Sequence, residues 1–424
     1  MRSRRIIPVL VILIVLILGG RAVSTGQVRG SVDPNLRLLA EAIAKVRTQY
    51  VDEMTTDEIT HDAIRGMLSA LDPYSVFLDP DDFTNLRIGT SGNYEGLGIQ
   101  ISIRDGFLTV IAPFEGTPAY RAGVLAGDRI VEIDGESTEA MTLDDAVHHM
   151  RGPRGTSVEL QVARGRDSRL IDIEVQRDVI ELKSVPYAFV DPDGIGYVRI
   201  SSFSEHTARD LRDAIERLDD ENMHGLILDL RGNPGGLLDQ AVEVAECFVP
   251  AGKLVVETRG RNRRDQREYR SRSRHVYEDL QLVVMIDRGS ASASEIVSGA
   301  VQDWDLGLVV GQTSFGKASV QTVLSLSDGS AIKLTTAKYY TPSGRSIQSD
   351  HRRVEPRVTA GIDDSGAEHH VDDRDIFYTS MGREILAGGG ITPDLEIEGA
   401  DYADVVYDVA RAGLWQEFAP GFLE

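Results

Sequence analysis

The stretch covering residues 281–311 constrains the fold most, because it places two short apolar runs on either side of a helical pattern. Residues 281–287 and 306–311 are typical of strands buried on both faces. Between them, apolar residues from Ile296 to Val301 have helical spacing. Residues 195–230 repeat the alternation as strand, helix and strand. The pattern predicts an α/β layered core.

A serine-rich turn joins the first of these strands to the helix. Ser290, Ser292 and Ser294 stand at the predicted helix start, where free N–H groups and partial positive charge accumulate. A serine hydroxyl there can attack a carbonyl while nearby N–H groups bind the developing oxyanion. Ser292 and Glu295 also fit the Ser-x-x-Glu spacing of a capping box, which needs no chemistry. This segment alone favours the helix cap over the nucleophile.

The second strand leads into a polar loop that ends on Lys317. The spacing from Gly311 to Lys317 matches the phosphate-loop motif GxxxxGK, which would bind a nucleotide. That interpretation fails because Ala318 lacks the hydroxyl that would hold magnesium, and because residues 319–326 alternate like a strand, whereas a phosphate loop opens a helix. A lysine in a desolvated loop can instead lose its proton and act as a general base. Ser292 and Lys317 would then form a Ser-Lys dyad.

Two motifs in this stretch closely resemble the carboxyl-terminal processing peptidases, also called tail-specific proteases. They are DRGSASASEIVSGAVQD at residues 287–303 and GQTSFGKASVQ at residues 311–321. The resemblance covers nearly the whole chain after the N-terminal segment. It implies that Ser292, the middle serine of the SASAS run, is the nucleophile, that Lys317 is the base, and that Gln321 orients the lysine. Ala318 stands where a glycine is most expected.

A glycine-rich loop, DLRGNPGG at residues 229–236, follows another predicted strand and leads into a helix. Taken alone, glycines at a strand-to-helix turn only close the turn. In the family that this chain resembles, the matching loop supplies one N–H of the oxyanion hole. The resemblance therefore implies Gly235 or Gly236 as one donor and the N–H of Ala293 as the other. The sequence leaves open which glycine donates.

Residues 92–180 are predicted to form a PDZ domain, because GTPAYRAGVLAGDRIVEIDGE at residues 116–136 closely resembles one. Such a domain adds a peptide to its sheet edge while N–H groups of a glycine loop bind the terminal carboxylate. Here the loop is residues 94–99, and the facing helix is residues 143–150. We expect a groove for an apolar C-terminal side chain, although each residue alone also fits an ordinary core. The predicted contacts are Gly96, Leu97, Gly98, Ile99, Val147 and Met150. Arg151 follows where the family often uses an arginine to couple groove occupancy to the active site.

The first 30 residues differ in composition from the rest. Three arginines precede an apolar run at residues 6–18, which is short for a membrane span and typical of a signal-peptide core. Residues 22–24 form a weak cleavage signal, so a cleaved signal peptide and an anchor through residues 6–20 both stay open. Either predicts an exported protein, in the periplasm or on the outer face of the cytoplasmic membrane. GMLSALDPYSVFLDP at residues 66–80 resembles the family's helical region, which often supports dimerisation.

The composition of the chain excludes several classes of function and of site. The formal net charge of −22 argues against nucleic-acid binding. Cys247 is the single cysteine and fits an amphipathic helix, which predicts a core residue and no disulfide framework. The nine histidines show no metal-ligand spacing, so we expect neither a metal nor a cofactor. For a Ser-His-Asp triad, which sequence alone does not exclude, His206 is the candidate base. Residues 259–274 carry eight arginines, which favours a solvated hairpin over a surface for an acidic partner or membrane.

A chain of 424 residues exceeds what one core normally holds. We predict a multidomain α+β protein with an N-terminal helical region, a PDZ domain built as a small β barrel or sandwich with helices, and an α/β layered peptidase core. The predicted function is an exported serine endopeptidase that captures apolar C-termini of unfolded or tail-exposed proteins. The alternative is an inactive PDZ scaffold, which the complete dyad disfavours. The predicted segments are a signal peptide or anchor (1–30), a helical region (33–91), the PDZ domain (92–180), the peptidase core (184–398) and a tail (399–424).

Overall fold

A computed structural model describes most of the chain after the N-terminal segment. The described residues are 33–165, 167–272, 277, 280–349, 376–398, 405–406 and 409. They divide between Phe77 and Leu78 into two compact units. The predicted signal segment, residues 350–375 and almost all of the predicted tail lie outside the described residues.

The first unit is helical, as the sequence predicts. Helix α1 (Pro34–Gln49) begins after Asp33, whose carboxylate accepts a hydrogen bond from the Asn35 N–H at 2.9 Å. Helix α2 (Thr56–Ser69) begins with a capping box between Thr55 and Glu58. Strand β1 (Val76–Leu78) spans the division between the units. No residue of α1 is buried, so its apolar residues stay exposed in this unit.

The second unit starts with helix α3 (Pro80–Ser91), and a strand-rich region follows. Its elements are β2 (Asn93–Gly96), β3 (Ile99–Arg104), β4 (Phe107–Pro113), α4 (Pro118–Arg121), β5 (Arg129–Ile133), β6 (Glu136–Ser137), α5 (Leu143–Met150), β7 (Ser157–Arg164), β8 (Arg169–Gln176) and β9 (Asp178–Glu181). The main sheet has the antiparallel order β3-β4-β5-β7-β8, with β6 beside β5. Strand β3 is therefore an edge strand. Strands β2 and β9 pair separately.

The remaining elements form the predicted α/β core. They are β10 (Tyr187–Val190), β11 (Ile195–Arg199), α6 (Thr207–Asp220), β12 (Gly225–Asp229), α7 (Leu238–Ala245), β13 (Leu254–Gly260), β14 (Arg267–Arg270), β15 (Gln281–Ile286), α8 (Ala293–Asp303), β16 (Leu308–Gly311), β17 (Ser319–Ser325), β18 (Ala331–Tyr340), β19 (Ile376–Tyr378), β20 (Glu384–Leu386) and β21 (Leu395–Glu396). One sheet has the order β10-β11-β12-β15-β16-β21, and it is parallel from β11 onward. Its buried apolar residues and those of the three helices share one hydrophobic core.

A second sheet is antiparallel and contains β17, the strand that follows the loop after β16. Strand β18 pairs with β17 and with β13, and β13 pairs with β14. The arginine-rich segment forms the predicted hairpin, in which β13 and β14 are joined through a short 3-10 turn (Arg263–Asp265). Strands β19 and β20 form a separate hairpin.

Cys247 lies in the core of the second unit, as predicted. Its side chain is buried, and burial raises the pKa of its thiol to about 12, so the thiolate is scarce at neutral pH. Across the described helices, none combines the length and the apolar composition needed to cross a membrane.

Candidate active site

The serine-rich turn places Ser292 in a strained backbone conformation. Ser292 directly precedes helix α8 and has φ 55° and ψ −110°. A non-glycine residue in such a sparsely populated region costs about 1–3 kcal/mol and is held by its surroundings. A strand-to-helix turn of this kind exposes the nucleophilic serine of α/β-hydrolases. The backbone of Ser292 therefore fits a nucleophile better than an ordinary helix cap.

The two neighbouring serines fasten this turn to the glycine-rich loop. The Ser290 hydroxyl donates to the Leu230 carbonyl at 2.8 Å, and the Ser294 hydroxyl donates to the Asn233 carbonyl at 3.0 Å. Both serines are fully buried. The three serines of the motif thus have different tasks, because the outer two hold the turn that presents Ser292.

Glu295 links the backbone of the two predicted dyad residues. Its carboxylate accepts hydrogen bonds from the N–H groups of Ser292 (2.7 Å), Gly316 (2.7 Å) and Lys317 (3.0 Å), and from the Ser314 hydroxyl (2.6 Å). The side chain is fully buried, and this burial raises the pKa of Glu295 although the hydrogen bonds oppose it. The capping-box spacing predicted the bond to Ser292. It did not predict the contacts with the lysine loop.

Tyr339 makes a second link between the same two residues. Its hydroxyl lies 3.0 Å from the Ser292 carbonyl oxygen and 2.5 Å from the Lys317 carbonyl oxygen, within hydrogen-bond distance of both. The residue is 1% exposed and stands on β18, far from either partner in sequence. The turn and the lysine loop are thereby fixed to each other through main-chain atoms.

The glycine-rich loop packs directly beside the nucleophile turn. Asn233 is buried, accepts from the Gly235 N–H at 2.9 Å through its side-chain oxygen, and donates to the Ile200 carbonyl at 2.9 Å. A Cβ atom on Gly235 would lie 2.8 Å from the Ser292 Cβ, so only glycine allows this approach. Among the described residues, the N–H groups of Gly236 and Ala293 have no hydrogen-bond acceptor, whereas that of Gly235 does.

A cavity of about 290 Å³ brings the predicted catalytic residues together. Ser292, Ala293, Gly236, Lys317 and Gln321 all line it. Gln321 stands on β17, where its side-chain amide donates to the Ser319 hydroxyl at 3.1 Å. Gly235 does not line the cavity. The other residues that line the cavity are largely apolar and include Leu86, Pro234, Leu237, Leu238, Ile296, Val320 and Val323.

His206, the candidate base of a Ser-His-Asp triad, does not face this cavity. It directly precedes helix α6 and lines a different cavity, together with Arg209 and Arg217. No histidine is among the described residues that line the Ser292 cavity. In the part of the chain that the structure describes, no group of three metal-ligating side chains is present either.

Asp303, the last residue of helix α8, forms a buried ion pair with Arg345. Its carboxylate accepts from the Arg345 guanidinium at 2.9 Å and from the Ser343 N–H at 2.8 Å. Asp303 and Arg345 are both buried, and burial lowers the pKa of Arg345 although Asp303 opposes the shift. The pair anchors the end of α8 and does not line the Ser292 cavity.

A smaller cavity of about 80 Å³ lies between the edge strand β3 and helix α5. Helix α5 starts after Thr142, as predicted from the sequence. Five of the six predicted contacts line the cavity, namely Leu97, Gly98, Ile99, Val147 and Met150. The sixth, Gly96, lies beneath the Tyr94 ring, since a Cβ there would be 2.9 Å from that ring.

Arg151 connects this groove with helix α3. Its guanidinium lies 5.5 Å from the centre of the Tyr94 ring and donates to the Asn85 side-chain oxygen at 2.9 Å. Asn85 precedes Leu86, which lines the Ser292 cavity. Burial raises the pKa of the Tyr94 hydroxyl, although the nearby Arg151 guanidinium opposes the shift.

The fold and the two cavities define a serine-type peptidase with a PDZ domain. Residues 194–360 match peptidase family S41, residues 109–164 match the PDZ domain, and residues 21–82 match the N-terminal domain of the activating protease CtpB. The chain belongs to the carboxy-terminal processing proteases of family S41, because it is 43% identical to one of them across most of both chains.

That relative is the carboxy-terminal-processing protease of Bartonella bacilliformis, and the match covers 74% of this chain and 72% of the relative. The carboxy-terminal processing protease CtpA of Bacillus subtilis is 34% identical, over 84% of this chain and 74% of its own length. Among solved structures, the photosystem II D1 C-terminal processing protease is 28% identical, with a TM-score of 0.43, over 90% of this chain and 97% of that chain.

Proposed function

We propose that this protein hydrolyses peptide bonds with a Ser292-Lys317 dyad, through an acyl-enzyme, at sites in proteins whose apolar C-termini bind its PDZ domain. The observation that carries the proposal is the cavity lined by both residues, next to the strained backbone of Ser292. The catalytically inactive scaffold is not favoured, because it gives no reason for two separate side chains to fix the turn and the lysine loop together. Digestion of an unfolded protein with an apolar C-terminus, read by mass spectrometry, tests the proposal. A protein that binds such a chain and never cuts it would be the scaffold.

In the proposed reaction, neutral Lys317 takes the proton of the Ser292 hydroxyl as Oγ attacks the scissile carbonyl carbon. The lysine passes this proton to the leaving amine as the C–N bond breaks, which leaves an ester on Ser292. Lys317 then takes a proton from water, whose oxygen attacks the ester. When the bond to Ser292 breaks, the proton returns to Oγ. Gln321, which lines the same cavity, is the proposed orienting residue for the lysine.

For the oxyanion hole we propose the N–H groups of Ala293 and Gly236. Both residues line the cavity, and neither N–H has an acceptor within the described residues. Gly235 is disfavoured as a donor since its N–H is already bound to Asn233. Its role is instead the close approach to Ser292. Preorganised donors of this kind stabilise the charge that develops on the carbonyl oxygen.

We propose that a substrate C-terminus adds to the edge strand β3, with its last side chain in the groove beside α5. Val147→Asp places a charge in this apolar groove, and we expect affinity for a peptide with an apolar C-terminus to fall about tenfold or more. Fluorescence anisotropy with such a peptide measures the change. Leu143→Asp is the matched control, because Leu143 is exposed on the same helix and does not line the groove. Equal loss in both variants would contradict the assigned groove.

Arg151 is the proposed coupling residue between the groove and the active site, because its bond to Asn85 reaches the helix that lines the Ser292 cavity. We expect Asn85→Ala to leave peptide affinity unchanged while it reduces, about fivefold, the gain in kcat/KM that an apolar C-terminus gives a long substrate. The measurement compares substrates with and without that C-terminus. Thr84→Ala, at the neighbouring exposed position, is the control. An unchanged gain in Asn85→Ala would remove this coupling from the proposal.

We also propose that the protein is exported and forms a homodimer. The apolar run at residues 6–20 supports export, with cleavage or membrane anchoring. The exposed apolar residues of α1 support a homodimer through the helical region. We further propose the limits 33–91, 92–180 and 184–398 for the helical region, the PDZ domain and the peptidase core.

A further inference from the structure

Lys333 is a second lysine in the catalytic cavity. It stands on β18 and lines the same cavity as Ser292 and Lys317. The pairing of β17 with β18 sets Lys333 opposite Val323 and sets Thr335 opposite Gln321. Residues two apart on a strand share a face, so Lys333 and Gln321 project to the same side of the hairpin. Lys333 is therefore displaced from Gln321 by about 7 Å along the strand direction.

The charge of Lys333 is not balanced within the cavity. Among the described residues that line it, Lys317 and Lys333 are the basic side chains, and none is Asp or Glu. Lys333 is half-buried, and the described part of the chain offers it no ion pair or hydrogen bond. By contrast, the exposed Lys45 pairs with Glu41 at 2.7 Å. An unpaired ammonium beside apolar walls attracts an anion more strongly than one in open water.

Lys333 lies about 7 Å along the hairpin from Gln321, on the same face. An extended chain advances about 3.3 Å per residue, so a substrate chain that runs beside the hairpin covers this distance in about two residues. The long, flexible side chain of Lys333 lets its ammonium reach one substrate residue further. Since Gln321 is the proposed orienting residue of Lys317, the group that meets Lys333 belongs to a substrate residue within about three positions of the scissile bond.

We propose that Lys333 is a specificity-determining residue that binds a carboxylate of the substrate close to the scissile bond. The carboxylate belongs either to an Asp or Glu side chain or to the substrate's own terminus. This inference rests on the proposed peptidase function and adds a substrate class to it. Apolar walls around one cation would select a chain that carries a single acidic group among apolar residues.

Peptides that differ by one charge test the inference with the full-length protein. One set carries Glu or Gln at each of three positions on either side of the cleavage site, with amidated C-termini. A second set carries only Gln and ends in a free carboxylate at the same distances. We expect one Glu peptide, or one free-carboxylate peptide, to be cut with kcat/KM about tenfold above its neutral partner, which is about 1.4 kcal/mol. The set that shows the preference identifies the source of the carboxylate.

Lys333→Met is expected to remove this preference, so that the variant cuts each charged peptide and its neutral partner with equal kcat/KM. Lys338→Met, at an exposed position of the same strand that does not line the cavity, should keep the preference. Salt at about 1 M should weaken the wild-type preference without any substitution, because it screens the charge pair. This measurement also stands if Lys333→Met fails to fold.

The outcomes separate this inference from the proposed function. A wild-type protein that cuts neither these peptides nor an unfolded protein with an apolar C-terminus contradicts the peptidase proposal itself. If the wild type cuts only the unfolded protein, the same Glu and Gln pairs are placed at its cleavage site. A wild-type protein that cuts Glu, Gln and free-carboxylate peptides equally overturns the inference alone. So does a folded Lys333→Met variant that keeps the preference, or one that loses charged and neutral peptides to the same extent.

Discussion

Ser292→Ala and Lys317→Ala should each lower peptide hydrolysis by about 10⁴- to 10⁶-fold, because one removes the attacking oxygen and the other removes its base. Loss of either member of such a unit costs nearly as much as loss of both, so the double variant should be no slower than the single ones. Cleavage of an unfolded protein with an apolar C-terminus, followed by gel and mass spectrometry, measures this loss. Both variants should still bind the C-terminal peptide.

Ser137→Ala and Lys338→Ala are matched controls, because both residues are exposed and neither lines the cavity. They should cut as fast as the wild type. If Lys317→Ala cut equally well, the dyad would be wrong and the base would have to be another residue. If Ser292→Ala retained full activity, the acyl-enzyme on this serine would be excluded.

Glu295→Gln should weaken both the stability and the activity of the protein. The carboxylate accepts four hydrogen bonds in a fully buried site, three of them from backbone N–H groups. An amide turns an NH₂ group toward some of these donors, and each unpaired buried donor costs about 1–3 kcal/mol. We expect the free energy of unfolding to fall by about 3 kcal/mol. Urea unfolding measures it.

The activity of Glu295→Gln should fall even at temperatures where the variant is folded, because either orientation of the amide leaves a backbone N–H of the lysine loop, that of Gly316 or that of Lys317, without its acceptor. A loss of about 10²-fold is expected for a shift of about 1 Å in a catalytic group. The control is Glu221→Gln, at an exposed position after helix α6. Wild-type stability in Glu295→Gln would contradict the role assigned to the carboxylate.

The local parts of this site could be predicted from sequence, and the long-range contacts could not. Apolar runs and turn residues predicted the strand, turn and helix around Ser292 because such signals lie within a few neighbouring residues. The bond from Glu295 to Ser292 follows from a spacing of three residues. The contacts of Glu295 with the lysine loop and of the Tyr339 hydroxyl with the two carbonyl oxygens join residues 19 to 47 positions apart. No local pattern marks such partners.

In the glycine-rich loop, too, a tertiary contact decides a feature that the local sequence does not predict. Its sequence identifies two neighbouring glycines as candidate donors and offers no reason to choose between them. The choice depends on the Asn233 side chain, which turns back on its own loop and occupies the Gly235 N–H. That orientation is fixed by its other bond, to Ile200 on a different segment. A rotamer set by tertiary contact thus decides which peptide group faces the cavity.

The joint attachment of Ser292 and Lys317 to Glu295 and Tyr339 has a consequence for biosynthesis. Strand β18, which supplies Tyr339, is made after both the turn and the lysine loop. A chain still emerging from the ribosome therefore lacks one of the two side chains that join the Ser292 turn to the lysine loop. If these two residues are the dyad, we expect peptidase activity only after β18 has been made.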